Sequence, residues 1–517
     1  MPSFHDRLHD QPPCPAPLLL LWRNAGSGNF SAQGPARYFQ GYRLPGEWNG
    51  IPQGIWAEWT WDGVELVVRN DRLGFSPIFW FANNDGIGVS PVLAELIPHL
   101  DSRELDDDAL AVFLRFRSFI GEDTPFRGIR ALPPGATLRW SGGNVRLEAL
   151  GPIRFEAEQG ARRRRQGDYP GVVRDAVGRA LDSIPGRTVL PLTGGLDSRL
   201  LLYSMLHLRH PPELCLTVRH HPPRQDEDAR LAADIARDTG LPHLLLEQEC
   251  DRLGQQLRNF RRTHLCTHEH AWYHPLPDYV RAAGFASFLD GIGGDLQAEP
   301  NHITQGVNRL MDAGRMEEAA ASILEEGYLP SVVPTNILKR WSRERAVEHL
   351  VRHAAGFQGA ADPWGNFRLF TRTRRNVALM PWSLHLGGAV GLAPFLDRSV
   401  VELLGPIPWQ ELADRTFRKT VLTEAYPDHP PLSNEHADFS SIRNRRRVLA
   451  YGRSVARWAG RRLWLSPLLK PSFLPPRLAR AHLGQGYSRE LPMACELPVY
   501  LLELACWAEG DLLKVNE

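Results

Sequence analysis

Residues 187–199 read RTVLPLTGGLDSR: an apolar run breaks off into a polar loop, and apolar periodicity resumes at once. Val189–Leu192 has the length and character of a buried strand, and Leu200–Leu202 belongs to a following helix. Between them stand two glycines, two hydroxyls and one carboxylate. Two glycines let a backbone approach an anion closely and take strained dihedrals. The helix start behind them offers N–H groups without partners and a partial positive charge. Thr193, Gly194, Gly195, Leu196 and Ser198 therefore form a candidate cradle for phosphate oxygens. Asp197 would repel that phosphate unless a cation stood between them, and Mg2+ held jointly by carboxylate and phosphate resolves the conflict. The lysine of the G-x-x-x-x-G-K-[ST] loop is absent, so the segment suits pyrophosphate release across a metal bridge better than γ-phosphoryl transfer. A plain strand-to-helix turn capped by Ser198 or Asp197 would use the same residues.

Working outward, residues 169–183, 197–207 and 226–239 have helical spacing. Residues 188–192, 213–218 and 243–247 read as strands. Alternating strands and helices predict a doubly wound parallel sheet whose ligands bind at the carboxyl ends of the strands. A second apolar strand, 286–289, runs into DGIGGD at 290–295, again glycines with a carboxylate. Two such turns in one sheet can face each other, so that Asp197 and Asp295 bind one Mg2+ from two sides. Residues 17–150 differ: short alternating runs at 18–22, 55–61, 64–68, 78–81, 136–140 and 145–147 predict an antiparallel domain, with a helix at 109–116. Arg162–Arg165 reads as a solvated linker, 301–370 as helical, and 440–517 as a helical tail.

The chain has 517 residues, 43% of them hydrophobic, enough for two to four domains with sizeable cores. A net charge of +1 excludes a general attraction to nucleic acid. Only Lys339, Lys419, Lys470 and Lys514 among its 60 basic residues are lysines. The six cysteines are dispersed without a Cys-x-x-Cys pair, as expected of reduced thiols in the cytoplasm. The apolar run at 18–22 is too short for a signal peptide, and no stretch reaches the ~18 residues of a membrane span. The expectation is a cytoplasmic protein with no membrane or nucleic-acid partner.

Thr193–Ser198 (TGGLDS) resembles the S-G-G-x-D-S signature of the asparagine synthetase family, and Asp290–Leu296 resembles its S-G-x-G-x-D-E. Pro394–Asp397 matches its P-F-L-D, and Lys419–Pro427 resembles its K-x-x-L-R-x-A-x-x-x-P. In the N-terminal half, Asn70–Phe79 and Gly128–Gly135 resemble the R-D-x-x-G-x-x-P-L-Y and G-I-x-x-L-P-P-G segments. The resemblance covers most of residues 50–430. It implies an antiparallel glutaminase-type domain at 1–160 and an ATP-pyrophosphatase domain at 168–517, with a helical insertion at 300–375. It also implies ATP and Mg2+, adenylation of a carboxylate with loss of pyrophosphate, and attack by an amine. By the same resemblance, the Leu216 backbone and Val218 contact adenine, and Asp290 and Gly291 lie at the nucleotide.

The departures matter. The chain starts Met1-Pro2-Ser3 without the family's nucleophilic cysteine, and its N-G-E-I-Y-N block is missing. The family's Glu or Tyr in the second signature is Ile292, which cannot take a proton. The Glu-x-Arg before P-F-L-D is Val390-Gly391-Leu392, and no lysine follows Pro427 at the family's spacing. A glutaminase-deficient enzyme is expected, similar to the β-lactam and lasso-peptide macrolactam synthetases. Its substrate would be a small-molecule or peptide precursor closed into a lactam, and a companion protease or leader-peptide-binding protein would fit as partner. Glu269 and His270 are the candidate bases, beside His268 and His274; capping, packing or a zinc contact with His264 and Cys266 are the other readings of that stretch. Arg199 could reach an anion or pair at its helix start, and Arg372, Arg374 and Arg375 read as solvated charge. The alternatives are ammonia-dependent amidation of a sugar acid or amino acid, and a non-catalytic precursor-binding protein.

Overall fold

In the computed structural model, residues 16–24, 30–219, 227–248, 251–263, 265–266, 270–294, 300–428 and 445–509 are described. The first ten strands are β1 (Leu19–Arg23), β2 (Phe30–Gln33), β3 (Arg37–Trp48), β4 (Ile51–Trp61), β5 (Glu65–Asn70), β6 (Phe79–Ala82), β7 (Gly86–Ser90), β8 (Arg130–Ala131), β9 (Ala136–Ser141) and β10 (Asn144–Ala149). They form two antiparallel sheets, ordered β2-β1-β7-β6-β8 and β10-β9-β5-β4-β3. Alternate residues point to opposite faces of a strand. Leu19 and Leu21, Leu66 and Val68, Ile87 and Val89, and Leu138 and Trp140 thus meet in one apolar layer between the sheets.

The parallel sheet is built from β11 (Thr188–Pro191), β12 (Leu214–Arg219), β13 (His243–Glu247), β14 (Ser287–Leu289) and β15 (Val390–Leu392), in the order β13-β12-β11-β14-β15. All four pairings are parallel. The observed helices Tyr169–Ser183, Leu196–His207 and Glu227–Asp238 lie within a residue or two of their sequence reading. The fold class is the mixed α/β arrangement expected, antiparallel in the N-terminal part and parallel in the C-terminal part.

Two motif segments of the antiparallel part act as a lock. The Asp71 carboxylate accepts the backbone N–H groups of Leu73, Phe75 and Ser76 at 3.0–3.2 Å. Asn70 donates to Pro133 O at 2.8 Å and accepts from Ala136 N at 2.8 Å. Gly74 sits at φ +68°, and a Cβ there would lie 2.8 Å from Pro134 Cα, so both conformation and space require glycine.

Arg374 and Arg375 are not solvated. They are 5% and 4% exposed, on a π-helical segment, Leu369–Val377, that faces the N-terminal part. Arg374 donates to Gly74 O, Gly121 O and Leu132 O, and Arg375 to Gly121 O and Asp123 O. Turns leave carbonyls without ladder partners, and a guanidinium carries five donors to satisfy them. Burial drives the Arg374 guanidinium down to about 9. The expected linker is also a strap. Ala161–Arg165 is a short helix in which Arg162 bonds both oxygens of Asp414 at 2.8 and 2.9 Å, and Arg165 bonds Leu403 O at 2.8 Å.

The sequence reading missed one apolar segment. By length and composition, helix residues Glu490–Glu509 could cross a membrane, but 78% of that window is buried inside the protein, as in a core helix.

Candidate functional site

The topology decides where the two glycine turns lie. β11 is central, with β12 on one side and β14 on the other. Chain connections leave these neighbours in opposite directions, which opens a crevice at the carboxyl ends of β11 and β14. Thr193–Ser198 leaves β11 into that crevice, and Asp290–Gly294 leaves β14 into it.

The turns touch. A Cβ on Gly294 would stand 2.6 Å from Asp197 Oδ1 and 2.8 Å from its Cγ; one on Gly291 would stand 3.1 Å from Asp197 Cβ. Segments nearly a hundred residues apart therefore pack glycine against carboxylate. Asp290 is at the same junction. Its Oδ1 accepts Ile292 N at 2.8 Å, and burial, with the Asp197 charge adding, pushes its carboxyl up to about 6. Ile292 is 5% exposed and apolar, as expected of a position without a proton acceptor.

The first loop is shaped by its own hydroxyls. Thr193 Oγ1 accepts Gly195 N at 3.0 Å, and Ser198 Oγ accepts Thr193 N at 3.2 Å and lies 3.1 Å from Thr193 Oγ1. The expectation of strained glycines is not met here. Gly195 is at φ −69°, and neither Gly194 nor Gly195 has a positive φ. Gly194 is needed for space, since its Cβ would lie 2.7 Å from Leu231 Cδ1 and 3.2 Å from Asp228 Oδ1. Positive φ falls instead on Gly293, at +92°. Leu196 opens the 12-residue helix whose first-turn N–H groups lack intrahelical acceptors and face the crevice mouth.

Two arginines complete the site. Arg418, in the first turn of helix Phe417–Ala425, donates to Asp197 Oδ1 at 2.7 Å. Sequence reasoning missed it, although its neighbour Lys419 opens a quoted motif. Arg199 is 2% exposed, and its side-chain Nε donates to Gly195 O at 3.3 Å. Its Nη1 is buried with no acceptor, and burial lowers the guanidinium's pKa. Among the described residues it makes no ion pair, so the pairing reading for its helix start is not met. A buried cation without an anion is costly. An orphan guanidinium behind the loop, a carboxylate at the crevice and free helix N–H groups make a donor set that fits a nucleotide phosphate with its divalent cation.

Leu216 pairs with both Pro191 and Leu244, and its carbonyl accepts Leu192 N at 2.8 Å. Val218 lies beyond the end of β11, so its backbone edge is open on that side. His270 is buried, with Nε2 2.8 Å from Asn376 Oδ1; Asn376 in turn donates to Arg117 O, so this imidazole is engaged at the junction with the N-terminal part. His274 is buried and its pKa is lowered by burial. Cys266 is buried beside Arg375, its thiol pushed up to about 11. Asp295, Glu269, His264 and His268 lie outside the described residues.

Residues 171–435 match the asparagine synthase family, and residues 50–150 match a glutamine amidotransferase domain. No curated protein matches the chain. A solved glutamine phosphoribosylpyrophosphate amidotransferase from B. subtilis, complexed with ADP and GMP, is similar at 12% identity over 64% of this chain and 74% of that one, with a TM-score of 0.15, a likeness too slight to bear on the site. With that synthase match over half its length, and its two glycine turns meeting at the head of a parallel sheet, the chain belongs to the asparagine synthase family and is an ATP-dependent carbon–nitrogen ligase, amidating through adenylation.

Proposed function

We propose that this ligase adenylates the carboxylate of a small-molecule or peptide precursor and couples it to an amine of the same precursor, closing a lactam or macrolactam. The contact of Gly291 and Gly294 with Asp197 carries the first half of the reading, because it sets one carboxylate where both glycine turns converge. The second half draws on the sequence, which lacks the family's N-G-E-I-Y-N block and carries Ile292 in the second signature.

Bound ATP with Mg2+ would turn the carboxylate oxygen into a good leaving group. In this chain Asp197 and Asp295 would hold the cation, the N–H groups of Gly194, Leu196 and Ser198 would face pyrophosphate, and the Thr193 and Ser198 hydroxyls, which accept Gly195 N and Thr193 N, would hold the loop in shape. Arg418 neutralises Asp197, and we assign it to the pyrophosphate oxygens as well, in place of the lysine absent after Pro427. Arg199 would stand behind the loop as a fixed positive charge. The open edge of β12 at Val218 would receive the adenine, with the Leu216 backbone behind it, and Asp290 and Gly291 would floor the nucleotide. Ile292 keeps water from the reacting carbon, and Glu269 or His270 remain the candidates to take the amine's proton.

The test is pyrophosphate release over a panel of carboxylates that includes peptides, with 15N-ammonium present and Asp197→Ala as control. Unlabelled product lighter by one water supports ring closure. Labelled amide product means that ammonia from solution is the amine, and no release from any substrate points to a non-catalytic precursor-binding role.

A further inference from the structure

Away from the crevice, a second cluster joins the antiparallel part to the helical insertion. His349 and His353 lie one turn apart on helix Arg343–Ala354 and so share a face. Asp123 meets them from the segment that follows helix Asp107–Phe116. One ligand atom from each of the three residues lies within 4.8 Å of the other two. Asp123 and His349 are 5% and 8% exposed, and His353 is partly buried.

The hydrogen bonds orient the donors. His353 Nδ1 lies 3.1 Å from His349 O, an acceptor, so Nδ1 carries the proton and Nε2 keeps its lone pair. That Nε2 packs over Gly121, where a Cβ would be 2.8 Å away, and among the described residues it makes no hydrogen bond. Asp123 Oδ2 meets His349 Nε2 at 2.7 Å, while Arg130 holds Oδ1 at 3.6 Å. The Asp123 backbone is pinned by Arg375, so the carboxylate is presented from a rigid segment. Arg352 donates to His349 Nδ1 at 2.9 Å, yet it also reaches Glu348 at 3.1 Å and Asp108 at 3.6 Å, and it is 54% exposed.

We propose that Asp123, His349 and His353 form a divalent-metal site of the zinc type that clasps the helical insertion to the N-terminal domain. Two imidazole nitrogens and one carboxylate oxygen leave a fourth position for water. Donors around a tetrahedral zinc ion stand roughly 3.3 Å apart, so the Asp123–His349 contact opens while the wider separations close. On binding, the proton on His349 Nε2 moves to Nδ1 and Arg352 withdraws to Glu348 and Asp108. Neighbouring ion pairs, from Arg345 on the same helix to Asp108 and from Arg340 on the helix before it to Asp107, already join the insertion to helix Asp107–Phe116, so metal entry needs only local adjustment.

The test uses the full chain, dialysed against chelator and titrated with Co2+, which reports its ligands through visible d–d absorption, and then with Zn2+ in competition. One equivalent of Co2+ with a d–d band is expected. His353→Gln and Asp123→Asn should each weaken binding at least ~10-fold, with circular dichroism unchanged. His353→Gln is the decisive variant because the residue is partly exposed and outside the buried Asp123–His349 pair. Absence of stoichiometric uptake, or uptake that His353→Gln leaves intact, would overturn the site.

Discussion

Replacing Gly294 by alanine probes the contact on which the nucleotide site depends. The added methyl would lie 2.6 Å from Asp197 Oδ1, 2.8 Å from Cγ and 3.2 Å from Phe395 Cδ2. Ordinary contact begins at 3.4 Å, so carboxylate and methyl must separate by about 0.8 Å (3.4 − 2.6). Gly294 itself is not at positive φ, so alanine adds crowding without backbone strain. Asp197 cannot retreat freely, because Gly291 packs at its Cβ and Arg418 holds its Oδ1. Mg2+ demands near-ideal geometry at ~2.1 Å, and a shift of that size takes the carboxylate out of coordination. Losing a well-placed metal contact costs ~10–100-fold in affinity, about 1.4–2.7 kcal/mol. Overpacking should cost a further ~1–3 kcal/mol of stability. The assay is calorimetric titration of ATP with Mg2+, beside a thermal melt. Gly306→Ala, on a helix with nothing within 4 Å of the new methyl, is the control and should bind like wild type. If Gly294→Ala binds ATP with Mg2+ within about threefold of wild type, Asp197 does not hold the metal and the reasoning fails.

Other perturbations separate further parts of the site. Arg199→Met removes a buried guanidinium whose Nη1 has no acceptor, so it should raise stability by ~1–3 kcal/mol while weakening nucleotide binding; a melt and a titration on one sample check the opposite signs. Arg418→Gln releases Asp197, so Mn2+ binding without nucleotide should tighten a few-fold while inhibition by pyrophosphate weakens ~10-fold, as paramagnetic resonance and competition would read. Asp290 titrates near 6 in the fold against an ordinary 3.8, so the folded chain holds that proton more tightly than the unfolded one. Its contribution to stability is full below about pH 4 and is lost as the pH rises through 6. Asp290→Asn should flatten the fall in melting temperature over that window relative to wild type, since Asp71, pushed by burial to about 6 as well, titrates in both proteins.

Local chemistry was readable from residue order alone. Strands Thr188–Pro191 and His243–Glu247 and the helix Tyr169–Ser183 follow from periodicity over a few turns, and a glycine-rich loop between strand and helix carries its anion-binding character wherever it sits. That Asp197 stands as a lone carboxylate within that loop was equally local. Glu269 and Asp295 belong to the same reading but lie outside the described residues.

What the chain order could not reveal was which charges meet. Arg374 and Arg375 look like any basic run until a π-helical turn carries them against the carbonyls of residues 74–132, more than two hundred positions earlier. Arg418 and Asp197 are likewise 221 residues apart, and Asp123 is 226 from His349. Helix and strand propensities depend on neighbours within a few residues, so the sequence itself determined the elements, the glycine-rich loop and the family. The strand order β13-β12-β11-β14-β15 alone brought the two glycine turns to one crevice, because burying both faces of a parallel sheet settles which strands become neighbours.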